Sequence, residues 1–547
     1  VTSDRSASAA TYPWPTYPLW GWASAPTDAP SAADLDALAP LVAAQLGLPT
    51  QSPETPAELA ELPADRIGAV LPSSLRSLAS ADPLDRARHG VGRSYRDVLR
   101  GLRGRLDHVP DLVLRPRTES DIAAILDWCA SATVAVVPFG GGTSVVGGVE
   151  PDVGGGWAGV VSLDLVRLSG IVEVDAMSRA ARVLAGTSGP ALETALRDHD
   201  LTARFYPQSF ERSTVGGWIA TRAAGHFSTG PTHVDDLVES IRAVTPSGEW
   251  SSRRLPASGA GPSPDRLLLG SEGALGIISE TWLRLQPRPT QRWSGTFAVA
   301  DFGAGLRAVR SIAQSGLQPA TCRLIDAAEA AISGTRTTGE AVLVAGLESW
   351  SAPVDAERAE ILERCRAAGM HLLDGDAGGD GSRHDAGVAW RSSFLRAPYL
   401  REQLVLLGLI VETFETAATW DRIEALIDSV IDTTRRALDE VCGGGTVTCR
   451  ITHVYPDGAA PYFTVIAPGR RGSELSQWAE IKAAASAAIM TGGGTITHHH
   501  AVGRDHRQWY DEQRPPPFAA ALTGAKQALD PSSILNPGVL VQTAPTR

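Results

Sequence analysis

Cysteine is scarce in this chain and forms no recognisable pattern. Cys129, Cys322, Cys365, Cys442 and Cys449 are odd in number and widely spaced, with no Cys-x-x-Cys among them. That argues against a disulfide framework and a thiol-based zinc site, and reduced thiols of a cytoplasmic protein are the expectation. Basic charge is in deficit too: 49 Lys and Arg face 61 Asp and Glu, a formal charge of −12. Such a balance lacks the basic stripe that nucleic acid requires, so no nucleic-acid partner is expected. The longest strongly apolar run lies near 404–411, far short of the roughly 18 residues of a membrane span. The first residues show no charged-then-apolar leader pattern, and the final Ala544-Pro-Thr-Arg547 is not a peroxisomal address. No internal repeat is visible.

What the chain does have is size, glycine and punctuation. At 547 residues it exceeds one typical domain. Residues 1–108 read as an N-terminal arm and helical segment, 109–290 and 291–490 as two domains, and 491–547 as a segment returning to the first. Tyr12, Trp14, Tyr17, Trp20 and Trp22 crowd the arm. Aromatics seek burial, so the arm is expected to pack on the body; an interfacial anchor giving peripheral membrane contact is the alternative. Strands are expected at 111–115, 134–137, 164–174, 180–184 and 236–245, and helices at 118–131 and 190–198. Thr118 with Asp121 three residues on is a helix-start signature. After Pro287-Arg-Pro289 strands and helices alternate, which suggests an α+β domain. Ile423, Leu426, Ile427, Val430, Ile431 and Leu438 recur at helical spacing, and 446–455 with 462–467 read as a hairpin around Pro456-Asp-Gly458.

The glycine loop Pro138-Phe-Gly-Gly-Gly-Thr-Ser-Val-Val-Gly-Gly-Val-Glu-Pro151 follows a β-branched strand directly. Consecutive glycines turn tightly, and their bare N–H groups can line an anion. Thr143 and Ser144 add hydroxyls. No amphipathic helix follows Gly148, so this is not a Rossmann fingerprint, and no Gly-Lys-Ser/Thr ending marks a nucleotide triphosphatase. A pyrophosphate held between strands is the functional reading; a plain glycine turn is the bland one.

Two further segments are Pro207-Gln-Ser-Phe-Glu-Arg-Ser-Thr-Val-Gly-Gly-Trp-Ile-Ala-Thr-Arg-Ala-Ala-Gly225 and Gly270-Ser-Glu-Gly-Ala-Leu-Gly276. With the glycine loop, in this order, they resemble the FAD-binding domain of the vanillyl-alcohol oxidase superfamily over about 111–286. The resemblance implies an α+β fold: a two-subdomain FAD-binding domain of that type plus an α+β substrate-binding cap. It implies FAD contacts from Pro138, Gly140, Gly141, Gly142, Thr143 and Ser144, the last five on the pyrophosphate. It adds Pro207, Ser213, Thr214, Gly216, Gly217, Ala220 and Thr221 from the second segment, with Ser228 close by. Glu272, Gly276 and Ile277 come from the third.

The internal run His498-His-His500, followed by His506, stands in Thr-Ile-Thr-His-His-His-Ala-Val-Gly503. In an extended segment His498 and His500 would point one way and His499 the other. No cysteine or carboxylate set accompanies the run, so no metal is expected. A solvated run and a cleft beside a flavin, with imidazoles moving protons, both stay open. By itself Tyr462 reads by default as a core tyrosine, and Arg323 and Arg401 as solvated surface arginines.

The combination Arg323-Leu-Ile-Asp326, Glu412-Thr-Phe-Glu-Thr-Ala-Ala-Thr-Trp-Asp-Arg422, Cys449-Arg-Ile-Thr-His453, Ala460-Pro-Tyr-Phe463 and Thr497-His-His-His-Ala-Val-Gly503 resembles the alkyldihydroxyacetonephosphate synthases, over about 90–538. The resemblance implies that Tyr462, His498, His499 and His500 are catalytic at the flavin. It implies that Arg401 binds a substrate phosphate and that Arg323 supports the site. The implied reaction exchanges the acyl group of acyl-dihydroxyacetone phosphate for a fatty alcohol through a flavin N5 adduct, without net redox. A lipid-like substrate and a homodimer are expected. His226 has no counterpart in that pattern. The alternatives are an FAD-dependent dehydrogenase or oxidase of a small 2-hydroxy acid, and a flavin-free binding protein. Relatives with bicovalent flavin carry a histidine in the glycine loop, where this chain has Gly142, Thr143 and Ser144, and His89 lies far upstream. FAD is therefore predicted to be non-covalent. Acid precipitation should release yellow flavin into the supernatant; a pellet still yellow after washing would contradict this.

Overall fold

The computed structural model describes residues 19–22, 30–332, 339–374 and 400–542. The first domain is built on two sheets. In one, strands Leu112–Leu114, Gly159–Asp164 and Val134–Phe139 run parallel, with Ala79–Ser80 pairing at the edge. Val134 through Val137 are fully buried, as a strand covered on both faces must be. Helix Glu119–Ala132 starts with the anticipated capping box between Thr118 and Asp121 and buries Ile122, Ile125, Leu126 and Cys129. The second sheet is antiparallel, in the order Ile171–Asp175, Ala180–Leu184, Ile277–Arg284, Val238–Thr245, Gly248–Ser251.

The strand expected over 164–174 is in fact two strands. Asp164 ends the first, and its carboxylate accepts the Val166 N–H at 3.0 Å, capping a single 3-10 turn, Leu165–Arg167. Gly170, at φ +124°, then redirects the chain into Ile171–Asp175 in the other sheet. The local carboxylate–backbone bond overrides the β-branched pattern of this stretch.

The cap carries an antiparallel sheet in the order His371–Asp374, Gln291–Val299, Ala341–Ser349, Thr321–Ile325, Thr446–Val454, Gly458–Pro468, Leu409–Glu415, with Ala418–Thr419 pairing to Gly458–Pro468. The second hairpin strand begins at Gly458, four residues before its predicted start at 462. Helices Phe302–Ala313, Ile423–Cys442 and Glu474–Thr491 contribute to one core with Cys322, Leu324, Ile410, Phe414, Cys449, Ile451, Phe463, Val465 and Ala467. Because side chains alternate along a strand, the residues between these face the opposite way. They are Arg323, Val411, Thr413, Thr448, Arg450, Tyr462, Thr464 and Ile466, and they form one wall of a cavity.

The C-terminal segment returns to the first domain. Leu535 bridges to Val136 beside the glycine-loop strand, and the Asn536 amide donates to the carbonyls of Gly148 (3.2 Å) and Glu272 (2.7 Å). Buried Lys526 donates to Asp530 at 2.6 Å and to the carbonyls of Ala274 and Leu535. Trp20 and Trp22 are buried, as the packed arm requires; Tyr12, Trp14 and Tyr17 lie outside the described residues. Helix Ala32–Leu46 follows, capped by Ser31. Among the described residues no helix is long and apolar enough to cross a membrane.

Candidate active site

A cavity of about 460 Å³ lies between the glycine loop and the cap sheet. Gly140, Gly141, Gly142, Thr143 and Ser144 line one side, joined by Pro207, Ser213, Thr214, Gly217 and Thr221. Arg323, Arg401, Tyr462, His499 and His500 line the other. The glycines are needed for close approach. A Cβ on Gly141 would sit 1.9 Å from the Arg212 carbonyl oxygen, and one on Gly140 would sit 2.4 Å from Thr214 Oγ1. The loop therefore lies flush against the second segment, with a glycine surface facing the cavity. The Ser144 hydroxyl accepts the Gly148 N–H at 2.9 Å and so also braces its own loop.

Seven of the residues implied for the cofactor do not line this cavity and instead frame it. Pro138 packs where a Cβ of Gly273 would fall, and Gly216 lies against Ala185. The Ala220 carbonyl accepts the Glu272 N–H at 2.8 Å. Buried Ser228 donates its N–H to Ala320 and accepts from Val454. Gly276 and Ile277 open the strand Ile277–Arg284. The Glu272 carboxylate accepts the N–H groups of Val502 and Gly503, both at 2.9 Å, and burial pushes its carboxyl up to about 7.

The histidine run is not extended, and His498 and His500 do not share a face. The fully buried carboxylate of Glu415, at the end of its strand, accepts the backbone N–H groups of His498 (2.5 Å), His499 (3.0 Å) and His500 (2.9 Å), and the Thr497 hydroxyl at 2.6 Å. Three successive N–H groups converging on one carboxylate curl the backbone. His499 and His500 then line the cavity, while His498 turns behind them toward Tyr455, His233 and His453. Burial would raise the Glu415 carboxyl, but its neighbours, the Thr497 hydroxyl and these N–H groups among them, outweigh it and hold the group below the usual carboxylate range. Burial drives His498 and His499 well below the usual histidine range, so both rings are neutral at pH 7.

Tyr462 lies parallel to His499 at 6.1 Å between ring centroids and edge-on to His500 at 5.5 Å. The guanidinium of Arg450 sits 3.9 Å over the Tyr462 ring and pairs with Glu329, which also accepts the Thr448 hydroxyl at 3.0 Å. Burial raises the Tyr462 phenol, which stays protonated. Arg323 is 1% exposed and donates to the His226 carbonyl, with His226 Nδ1 at 3.3 Å. His226, which matched nothing in the sequence pattern, is thus the residue that seats Arg323. Burial brings the Arg323 guanidinium down to about 9. Arg401 is half-buried, with its Nε and Nη2 shielded from solvent and lacking any hydrogen-bond partner among the described residues.

Four further residues of the site carry no role in the sequence expectations: Glu415, Arg450, His453 and His233. The available signal was a charged residue inside a β-branched strand, as at Glu415 and Arg450. His453 is re-aimed by a register shift between Ile451 and His453, so that it and Thr452 both reach the cavity. Among the described residues, His453, His498 and His499 have ring nitrogens within 4.8 Å of one another, the third imidazole that the sequence alone did not reveal.

Residues 110–252 match the family described as "FAD binding domain", and 288–540 match "FAD linked oxidases, C-terminal domain". An alkyldihydroxyacetonephosphate synthase of Caenorhabditis elegans is 30% identical over 480 residues, 82% of this chain and 79% of the relative. That of Trypanosoma brucei brucei is 26% identical over 492 residues, 85% and 78%. A solved alkyldihydroxyacetonephosphate synthase structure aligns with a TM-score of 0.74 at 24% identity, covering 92% of this chain and 91% of that one. The chain belongs to the alkyldihydroxyacetonephosphate synthase family. It is an enzyme, and its cofactor is FAD. The glycine loop, where a side chain on Gly140 or Gly141 would collide with the second segment, opens to the same cavity as the histidine loop.

Gly141→Asp should therefore abolish flavin loading. The side chain would collide with the backbone of Arg212 before it reached any ligand, and its charge would oppose a pyrophosphate. The absorbance of the purified variant checks this; full flavin content would show that the loop does not form the cofactor's wall.

Proposed function

We propose that this enzyme exchanges the acyl group of acyl-dihydroxyacetone phosphate for a fatty alcohol and releases the fatty acid. The observation that carries the proposal is Arg401: a half-buried arginine whose Nε and Nη2 are shielded and unpaired among the described residues, on the wall of the cavity that holds Tyr462, His499 and His500. Shielded, unpaired guanidinium nitrogens are costly, and a phosphate would satisfy them with charge-assisted, bidentate hydrogen bonds. Leu404, Val411 and Ile466 line the same cavity and offer apolar surface to an alkyl chain.

Bound FAD supplies the electron sink for the exchange. The remaining work falls to side chains. His499, held neutral by burial, is ready at pH 7 to take a proton from the carbon beside the substrate ketone. Tyr462, kept protonated, can donate to a departing oxygen, and the Arg450 guanidinium over its ring favours the charge left behind. Arg323, seated by His226, adds positive charge to the same wall.

Arg401→Leu should keep flavin while weakening substrate binding at least tenfold. Charge-assisted hydrogen bonds contribute about 1.5–3 kcal/mol each. Titration of the flavin spectrum with the acyl ketone phosphate measures this, and equal affinity in wild type and variant would refute the role. His499→Ala and Tyr462→Phe should each cut incorporation of labelled fatty alcohol by ~10²–10⁴ with flavin retained. Near-normal incorporation in both would remove the loop from the chemistry. Turnover of a phosphate-free 2-hydroxy acid, unchanged in Arg401→Leu, would point to a dehydrogenase instead.

A further inference from the structure

The proposed exchange turns an ester and an alcohol into an ether and a carboxylic acid. The acid ionises at neutral pH, so each turnover must send one proton from the cavity to water. We propose that His499, His498 and His233 form the relay that carries it. This rests on His499 being the group that takes the substrate proton.

The geometry is a chain of hydrogen bonds. His499 lines the cavity, and its Nδ1 lies 3.0 Å from Nδ1 of His498. The other nitrogen of His498, Nε2, lies 3.0 Å from Nε2 of His233. His233 Nδ1 meets the Arg222 carbonyl at 3.2 Å. A carbonyl only accepts, so His233 Nδ1 must carry hydrogen and its Nε2 is an acceptor when the ring is neutral. That fixes the resting pattern. His498 Nε2–H donates to His233, His499 Nδ1–H donates to His498, and His499 Nε2 keeps a lone pair.

A proton arriving on His499 Nε2 can leave along this chain. The Nδ1 proton of His499 passes to His498 Nδ1, and the Nε2 proton of His498 passes to His233 Nε2. His233 is then a cation with both N–H groups engaged, one on Arg222 and one on His498. Every hydrogen bond survives, reversed in sense along the two inner links, and no charge stays on the inner rings. The Tyr455 hydroxyl, 2.7 Å from His498 Nε2 and 3.1 Å from Thr232 Oγ1, can donate to that nitrogen once its proton has left.

The far end reaches solvent, where His233 releases the proton to water and the three rings return to their resting tautomers before the next turnover. His233 is half-buried, lies outside the cavity wall and is flanked by exposed Gly230, Pro231 and Asp236. Asp235 nearby is engaged by Arg222 and Arg266. His453 is not a member of the relay. Its ring lies 4.9 Å from that of His498, but its own nitrogens are taken by Thr452 Oγ1 and the Gly225 carbonyl, each at 3.0 Å. Burial holds it neutral, down at about 3, so it adds no charge to oppose a passing proton.

The test uses FAD-loaded His233→Gln. In dilute, non-imidazole buffer its rate of labelled-alcohol incorporation should fall about tenfold or more. Flavin content and KM for the acyl ketone phosphate should stay at wild-type values, and added imidazole should restore the rate. An unchanged rate, or a loss that imidazole does not restore, overturns the relay. A second measurement needs no substrate: nitrogen NMR of ¹⁵N-histidine-labelled holoenzyme. His498 and His499 should be neutral rings whose tautomer balance shifts in His233→Gln. An unchanged balance overturns the relay, as does a metal ion bound at His453, His498 and His499. If wild type fails to incorporate alcohol, the proposed function falls, and the NMR result alone decides the relay.

Discussion

One buried carboxylate organises this active site. Glu415 takes the N–H groups of three consecutive histidines, so a run that could have been a solvated tail becomes a turn with two rings on the cavity wall and one behind it. One residue, Ala501, separates this anchor from the next, where Glu272 takes the N–H groups of Val502 and Gly503. Glu415 lies on the cap sheet and Glu272 is held against Ala220 on the other side of the loop, so the loop is pinned from both sides. An unpaired buried carboxylate would be prohibitive, and the backbone N–H groups offset that cost while fixing where the imidazoles go.

The cap sheet provides the opposite wall by simple alternation. On three neighbouring strands the same face carries Val411 and Thr413, then Tyr462, Thr464 and Ile466, then Thr448 and Arg450, while the other face builds the core. Cross-strand pairing sets Tyr462 opposite both Glu415 and Arg450. A one-residue slip in register would turn Tyr462 and Arg450 into the core, so the apolar pattern of Phe463, Val465, Cys449 and Ile451 protects the chemistry as well as the fold.

The parts legible in the sequence were those with local signals. Thr118 and Asp121 marked a helix start, the glycines marked a close approach, and the hairpin around Pro456-Asp-Gly458 marked two long strands. Family resemblance then pointed to Arg401, Tyr462 and the histidines. What stayed hidden depends on partners distant in sequence. The curl of the histidine run needs Glu415, more than eighty residues earlier. The seat of Arg323 needs His226, and the link from His498 toward the surface needs His233. The break after Asp164 was local, but it depends on one side chain bonding to the backbone two residues on, which a periodicity reading cannot weigh against β-branched neighbours.

The most direct test of this account is the rate of labelled fatty-alcohol incorporation by FAD-loaded Glu415→Gln. The amide keeps the shape but removes the charge and turns one acceptor into a donor facing N–H groups, which costs about 1–3 kcal/mol at each unsatisfied group. The histidine turn should open, so incorporation should fall about a hundredfold while flavin content stays near that of the wild type. A variant within about twofold of wild type would show that Glu415 does not set the position of the histidines proposed to be catalytic, and would contradict the account at its centre.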